Sequence, residues 1–397
     1  YFHRNISIIK INILNYLFVQ TVLSFYYKNS KKSIRKGDFI MPIKEESFRI
    51  GCGRYIQGIK YIEKVGDELD FWGTAPLIIG DSTSISLTET QLENALKRTN
   101  RKTVVHNAPC NIEDAEKLAE FMKENNLDTV IGVGGGVIMD FAKLVADISS
   151  APVINIPTSS ATCAAYTPLS VCYTPEGRTV GSRHYKKEVN CVIADTEIIS
   201  RQPVRLLLSG VFDSLAKFIE IKQRYNESVT DYPLGLNWAY VLSKGMFFDL
   251  CTLTEQAING PESDALEKVV FSLICTTGVI SGIARGSNQC ALAHKFYEIS
   301  RKMFFEETRP YLHGEIVGIG LLLQNFFNGE SENNEFLLSL AKKYGMPCSV
   351  SDIGLSADGN TKRIFFEQLS ASSAIDSENP IETAKLADGL DYLFSIK

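Results

Sequence analysis

Two histidines and one aspartate in the C-terminal half have the residue types that could hold a metal. His294 lies inside the apolar segment ALAHKF (291–296), and His313 precedes Gly314 and Glu315 at the start of a second apolar segment. Asp213 stands in GVFDSLAKFIE (210–220), with Leu206, Leu207, Val211, Phe212, Leu215 and Phe218 around it. Burying a carboxylate in such surroundings is costly unless it is paired or metal-bound. One carboxylate and two imidazoles make a divalent-cation site that keeps a position open for substrate. Taken singly, each histidine is more often structural than a ligand, and their spacing is no compact motif such as H-E-x-x-H.

A second chemical feature is DTVIGVGGGVIMDFAK (128–143). The run Thr129–Val133 has the apolar character of a buried parallel strand. Gly134, Gly135 and Gly136 end it, and a helical pattern follows from Val137. Residues without Cβ let a ligand approach the backbone, and the helix start offers free N–H groups and a positive dipole end, which together would cradle a pyrophosphate. A plain strand-to-helix turn would look the same. Asp81 closes another strand pattern, APLIIG (75–80). An acid there can hydrogen-bond an adenosine ribose and repel a 2′-phosphate, favouring NAD over NADP, or it can simply cap the next helix.

The elements that would position these residues alternate. Strand patterns near 49–59, 75–80, 103–106, 129–133 and 151–156 are separated by helical ones, including 111–124 and 137–148, with one helix ending near Gly66. That alternation predicts a doubly wound parallel sheet with ligands at the carboxyl ends of its strands, where Gly134, Pro157 and Thr158 fall. A hydroxyl-rich loop then leads into a hairpin, with Leu169–Tyr173 and Arg178–Ser182 flanking Thr174–Gly177, and Val192–Asp195 returns to strand. After Pro203 the apolar periodicity is helical, in segments 204–223, 234–253, 264–284, 290–304, 313–327 and 335–344. We expect an α/β dinucleotide-binding domain over 41–203 and an all-α metal-binding domain over 204–397.

At 397 residues, 45% hydrophobic and with net charge −5, the chain can bury two cores. It carries no basic cluster past residue 40, which sets nucleic-acid binding aside. Nine scattered cysteines without a C-x-x-C pair fit reduced thiols in the cytoplasm better than a disulfide framework. Residues 1–40 differ in composition. The apolar run Ile6–Tyr27 is interrupted by Lys10, Asn12, Asn15 and Gln20, so it makes a poor membrane span. We expect residues 1–40 to be a non-native or disordered leader, upstream nucleotide sequence read in frame ahead of Met41, and no membrane association.

Four motifs in order resemble the iron-type, or group III, metal-dependent alcohol dehydrogenases, and within them the glycerol dehydrogenase branch. They are GGGVIMDFAK (134–143), which ends on Lys143; IPTSSATCAAYTPLSVCYTPEG (156–177); LLSGVFDSLAKFIE (207–220); and the pair ALAHKF with LHGEIVGIG. The resemblance implies a parallel Rossmann-like sheet domain followed by an all-α domain, the architecture shared with dehydroquinate synthase. It implies that Asp213, His294 and His313 hold a divalent metal, zinc in the glycerol dehydrogenase branch and iron in some relatives. It places Gly134, Gly135, Gly136 and Asp140 at the pyrophosphate, Thr158, Thr167, Leu169 and Tyr173 along the nicotinamide half, and Asp81 at the adenosine ribose of NAD, with NADP as the alternative. A homo-oligomer acting on a small alcohol or carbonyl substrate is expected.

Three departures from the family pattern bear on the substrate. Where glycerol dehydrogenases carry an aspartate that contacts substrate hydroxyls, this chain has Cys163, in a loop resembling the hydroxycarboxylate (2-oxo acid reductase) subgroup. Without that carboxylate the site no longer repels a carboxylate substrate. The family's second histidine of H-A-x-H is Tyr297, a candidate proton-relay residue. The segment 300–312 is longer than usual and carries Lys302 and Arg309, expected to be solvated charges rather than a carboxylate clamp. The reaction implied is metal-dependent, NAD(P)-linked interconversion of a small alcohol or 2-hydroxy acid with its carbonyl. The alternatives are a dehydroquinate synthase-like or glycerol-1-phosphate dehydrogenase-like enzyme, both of which call for richer cationic pockets, and a non-catalytic cofactor-binding relative.

Overall fold

The computed structural model describes residues 48–97, 99–225, 233–260, 263–284 and 291–397. The leader expected over residues 1–40 lies outside them. The sheet half runs β1 (Arg54–Gly58), α1 (Val65–Trp72), β2 (Pro76–Gly80), α2 (Ser82–Ala95), β3 (Lys102–Val105), α3 (Ile112–Glu124), β4 (Thr129–Gly134), α4 (Gly136–Ser149) and β5 (Val153–Pro157). The hairpin β6 (Leu169–Tyr173) and β7 (Thr179–His184) follows, then β8 (Cys191–Asp195) and α5 (Thr196–Ser200). Helices make up the rest of the described chain: α6 (Val204–Arg224), α7 (Leu234–Asn259), α8 (Asp264–Phe271), α9 (Thr277–Ile283), α10 (Leu292–Met303), α11 (Phe305–Thr308), α12 (His313–Asn328), α13 (Asn334–Lys343), α14 (Gly359–Ser370) and α15 (Pro380–Ser395).

Six strands form one all-parallel sheet in the order β1-β8-β5-β4-β2-β3. The central strands are buried along their whole length because helices cover both faces, which is why they read as continuous apolar runs rather than as alternating ones. Register sorts the side chains. Ile78, Ile131 and Ile154 lie side by side across three strands and pack with Leu69, Leu92 and Leu96 of α1 and the α2 region. Leu77, Val130 and Val153 point to the other face, where Phe141 and Leu144 of α4 join a core that continues into Leu208, Phe212 and Ile316 of the helical half. The described residues form one compact unit.

Several boundaries differ from the sequence reading. The first helix does not stop near Gly66 but runs from Val65 to Trp72, with Gly66 in its first turn. A Cβ there would stand 2.6 Å from the Ala95 carbonyl, so this glycine serves close packing against the end of α2. Helix α2 itself escapes periodicity because its Ser- and Thr-rich sequence has little amphipathic contrast; Asp81 capping Ser84 marks its start. The segment 264–284 is not one regular helix, since a π turn at Ser272–Thr276 separates α8 from α9. Among the described residues only Asp264–Ile283 is long and apolar enough to cross a membrane, and half of that stretch is buried within this fold.

Candidate metal and dinucleotide site

Three helices bring the candidate ligands together. Asp213 lies mid-way along α6, His294 in the first turn of α10 and His313 at the start of α12. Close approach of these helices depends on small residues. A Cβ on Gly314 would fall 1.8 Å from the Ser209 carbonyl of α6, and one on Gly320 would fall 2.7 Å from the Ala293 carbonyl of α10. Larger residues there would push the helices, and with them the ligands, apart. Arg205 of α6 donates two hydrogen bonds of 2.6 Å to the buried Glu315 carboxylate, which also accepts the Leu312 N–H at 2.7 Å. The turn that carries His313 is thereby fixed.

Within this frame the donor atoms of Asp213, His294 and His313 all lie within 4.8 Å of one another. Asp213 Oδ1 is 3.2 Å from His294 Nε2 and 3.3 Å from His313 Nε2. Glu220 accepts the Ala291 and His294 N–H groups at 2.7 and 2.9 Å on one oxygen and His294 Nδ1 on the other. Because a carboxylate only accepts, Nδ1 carries a proton, which leaves Nε2 as the atom that a cation held with Asp213 would take. Burial would raise Asp213, but the positive charge of Lys217, then His313 and His294, hold it well below the usual carboxylate range. Burial lowers His313 from its ordinary value despite the opposing pull of Asp213. An ionised carboxylate and two imidazoles, one of them set by a carboxylate behind it, are the donor chemistry a divalent cation requires, so the residues fit the group.

Two members of this cluster escape the sequence reading. Glu220 orients His294, and Lys217 places its Nζ 3.2 Å from His294 Nε2 and 3.6 Å from Asp213 Oδ1. Both are buried. The signal was present: positions 213, 217 and 220 set three charges on one face of an apolar helix at i, i+4 and i+7.

On the sheet side, Gly134 pairs with Pro157 at the carboxyl ends of β4 and β5. Gly135 is the N-cap of α4 and provides no side-chain cap, so the first turn of a 14-residue helix opens onto half-exposed backbone. A Cβ on Gly136 would meet Thr162 Oγ1 at 2.9 Å. This cradle fits a pyrophosphate. Asp81 caps α2, accepting from the Ser84 N–H at 2.9 Å and its hydroxyl at 2.7 Å, and its carboxylate faces Gly134. Thr158 donates its N–H to the Gly134 carbonyl at 3.0 Å.

Asp140 and Lys143 work inside the fold. The Asp140 carboxylate pairs with Lys143 of its own helix at 2.9 Å through Oδ1 and accepts the Val171 N–H at 3.0 Å on Oδ2, which ties it to the hairpin strand β6. Lys143 Nζ also donates to the carbonyls of Ala164 (2.6 Å), Thr167 (2.9 Å) and Leu169. One buried ammonium thus gathers the loop that carries Cys163 and fixes Thr167 and Leu169. The Cys163 thiol, pushed up to about 11 by burial and next by the negative charge of Asp213, is neutral and feels Lys217 as well; it hydrogen-bonds Ser281. Tyr173 donates its N–H to the Cys110 carbonyl at 2.8 Å, and its hydroxyl is held above its ordinary value by burial and then by Tyr297. The Tyr297 ring meets His313 edge-on at 4.2 Å, and burial keeps its hydroxyl protonated although the Arg301 charge opposes this. Lys302 is exposed, and Arg309 is an exposed charge paired with Glu306 at 3.5 Å.

A family model described as iron-containing alcohol dehydrogenase matches residues 52–196. A glycerol dehydrogenase of Citrobacter freundii is 31% identical over 259 residues, covering 64% of this chain and 69% of that one. Hydroxycarboxylate dehydrogenase A of Escherichia coli is 27% identical over 274 residues, 68% of this chain and 75% of its own. Among solved structures, a probable glycerol dehydrogenase from Sinorhizobium meliloti superposes with a TM-score of 0.74 at 21% identity, covering 88% of this chain and 98% of that one. With the order of the motifs and the Asp-His-His cluster, these likenesses show that the chain belongs to the iron-containing alcohol dehydrogenase family and is an oxidoreductase.

Proposed function

We propose that this protein is an NAD-linked, divalent-metal dehydrogenase that interconverts a small 2-hydroxy acid and its 2-oxo acid, with simple alcohols and aldehydes as the wider substrate class. The observation that carries this reading is the convergence of Asp213, His294 and His313, with a neutral Cys163 within electrostatic reach of Asp213. Residues 41–203 would carry the nucleotide and residues 204–397 the metal. A divalent cation held by the three ligands would serve as a Lewis acid for the substrate oxygen, and the nicotinamide would exchange the hydride.

The protein's own share is placement. Gly134, Gly135 and Gly136 cradle the pyrophosphate, and Asp81 takes the adenosine ribose and disfavours a 2′-phosphate. Thr158, Thr167, Leu169 and Tyr173 border the nicotinamide half. Glu220 fixes the His294 tautomer. Tyr297 keeps its proton and acts as a donor beside His313 rather than as a base. Zinc is the metal proposed, since an Asp-His-His set suits it; the same donors accept iron. Metal content measured on purified protein, with NADH and NADPH oxidation followed against 2-oxobutyrate, dihydroxyacetone and simple aldehydes, tests the reading. Absence of turnover on every substrate by metal-loaded protein refutes it.

A further inference from the structure

We infer that Lys217 is the residue that recognises a substrate carboxylate, making the enzyme selective for 2-oxo and 2-hydroxy acids over neutral carbonyls. This rests on the functional reading above and names the group that sets its substrate class.

Lys217 and Lys143 are the buried lysines of the described chain. Lys143 is consumed by Asp140 and by the carbonyls of Ala164, Thr167 and Leu169. Lys217 rises from the same face of α6 as Asp213, one turn on, and its ammonium stands within 3.6 Å of two of the three ligand side chains. His313, the ligand whose side chain is 28% exposed, marks the side from which substrate enters. Cys163 lies within electrostatic reach of Asp213 and Lys217, which both act on its thiol.

Charge balance then selects the ligand. With the cation in place, Asp213 and Glu220 each offset one positive charge and Lys217 adds one, while Cys163 contributes none. The site carries a surplus that a monoanionic substrate reduces. In a 2-oxo acid the carbonyl and carboxylate oxygens are one carbon apart, so a carbonyl oxygen directed at the ligand cluster brings the carboxylate within reach of an ammonium a few ångströms away. The flexible four-carbon stem of lysine allows that ammonium to turn from His294 Nε2 to the substrate. An acidic residue at 163 would pair with Lys217 internally and remove the attraction, so the lysine and the neutral cysteine work as a unit.

The test compares wild type with Lys217→Met, Lys217→Gln and, leaving the lysine intact, Cys163→Asp. Rates of NADH oxidation are measured with 2-oxobutyrate and with glyceraldehyde, metal content is measured on each protein, and oxamate binding to the NADH complex is followed by NADH fluorescence. The Lys217 variants and Cys163→Asp should each lose at least about tenfold in kcat/KM for 2-oxobutyrate and in oxamate affinity, as expected when a charge-assisted hydrogen bond is removed. Metal content should stay near wild type, and the loss should be larger for 2-oxobutyrate than for glyceraldehyde, so that the ratio of the two kcat/KM values falls by about tenfold. Equal losses on both substrates, loss of metal in the Lys217 variants, or unchanged oxamate binding would overturn the assignment. A wild type that reduces glyceraldehyde but not 2-oxobutyrate overturns it while sparing the dehydrogenase reading; a wild type inactive on both refutes that reading itself.

Discussion

Replacing Glu220 with glutamine separates an oriented metal ligand from a histidine that is merely buried. Glu220 has no exposed side-chain surface, and its two oxygens serve three N–H donors: the backbone of Ala291 and His294 at 2.7 and 2.9 Å, and His294 Nδ1. A glutamine keeps the shape and one acceptor oxygen but puts an NH2 group where a second acceptor stood. If the amide oxygen stays on the two backbone donors, the NH2 faces His294 Nδ1 and favours the tautomer with its proton on Nε2, the atom aimed at Asp213. The lost charge-assisted hydrogen bond is worth about 1.5–3 kcal/mol. Converted at about 1.4 kcal/mol per decade, this is a loss of roughly 10- to 100-fold in metal affinity, the range found when partners behind metal-binding histidines are removed. Competition with a chromophoric chelator reads the affinity, and thermal melting of metal-free protein reads the fold. Unchanged metal affinity in a folded Glu220→Gln protein would refute the orienting role and the Nε2 ligand with it.

Four further outcomes are expected. His313→Ala should abolish turnover while NADH binding, measured by fluorescence, stays near wild type, because the glycine cradle is built on other elements. Asp81→Asn keeps a good helix cap but removes the charge facing the cradle, and should improve NADPH relative to NADH by about tenfold in kcat/KM, or about 1.4 kcal/mol. Lys143→Met strands the buried Asp140 carboxylate and should destabilise the protein by about 3–5 kcal/mol in urea unfolding, with Asp140→Asn restoring part of the loss in the double variant. His106 stacks on Phe141 at 3.7 Å, and burial holds it below its ordinary value of 6.5, although the Pro109 carbonyl and Asp114 pull the other way. As pH falls below that value the unfolded chain takes up a proton that the folded chain refuses, so the folded state loses stability. Wild type should therefore lose more stability than His106→Asn between pH 7.5 and 5.5.

Much of the fold was legible because buried parallel strands and amphipathic helices leave local patterns. TVIGV at 129–133 and APLIIG at 75–80 read as strands and are strands. The helical pattern at 111–124 is α3, where Asn111 caps the start and Glu113 and Asp114 fill the first turn. What failed did so locally: Gly66 looked like a stop signal, but a glycine also permits close approach, and only the neighbouring Ala95 decides between the two. Helices α14 and α15 were missed by periodicity although Asp358 and Asn379, with Pro380, cap their starts.

By itself the sequence determined which chemistry was available: an acid among apolar neighbours at 213, two histidines on apolar segments, a glycine run after a strand, and a cysteine where a relative's acid would stand. Those are properties of single residues and their near neighbours. Only the tertiary structure decided which atoms meet. Asp213, His294 and His313 converge because Gly314 and Gly320 let three helices touch. Asp140 turns to the hairpin because Lys143 and Val171 are there to receive it. Lys217, which reads in sequence as one more charge on a helix, becomes a buried ammonium beside two ligands because the helices packed around α6 close over its inner face. Contacts between residues some 80 positions apart follow from the packing of elements, which local pattern does not encode.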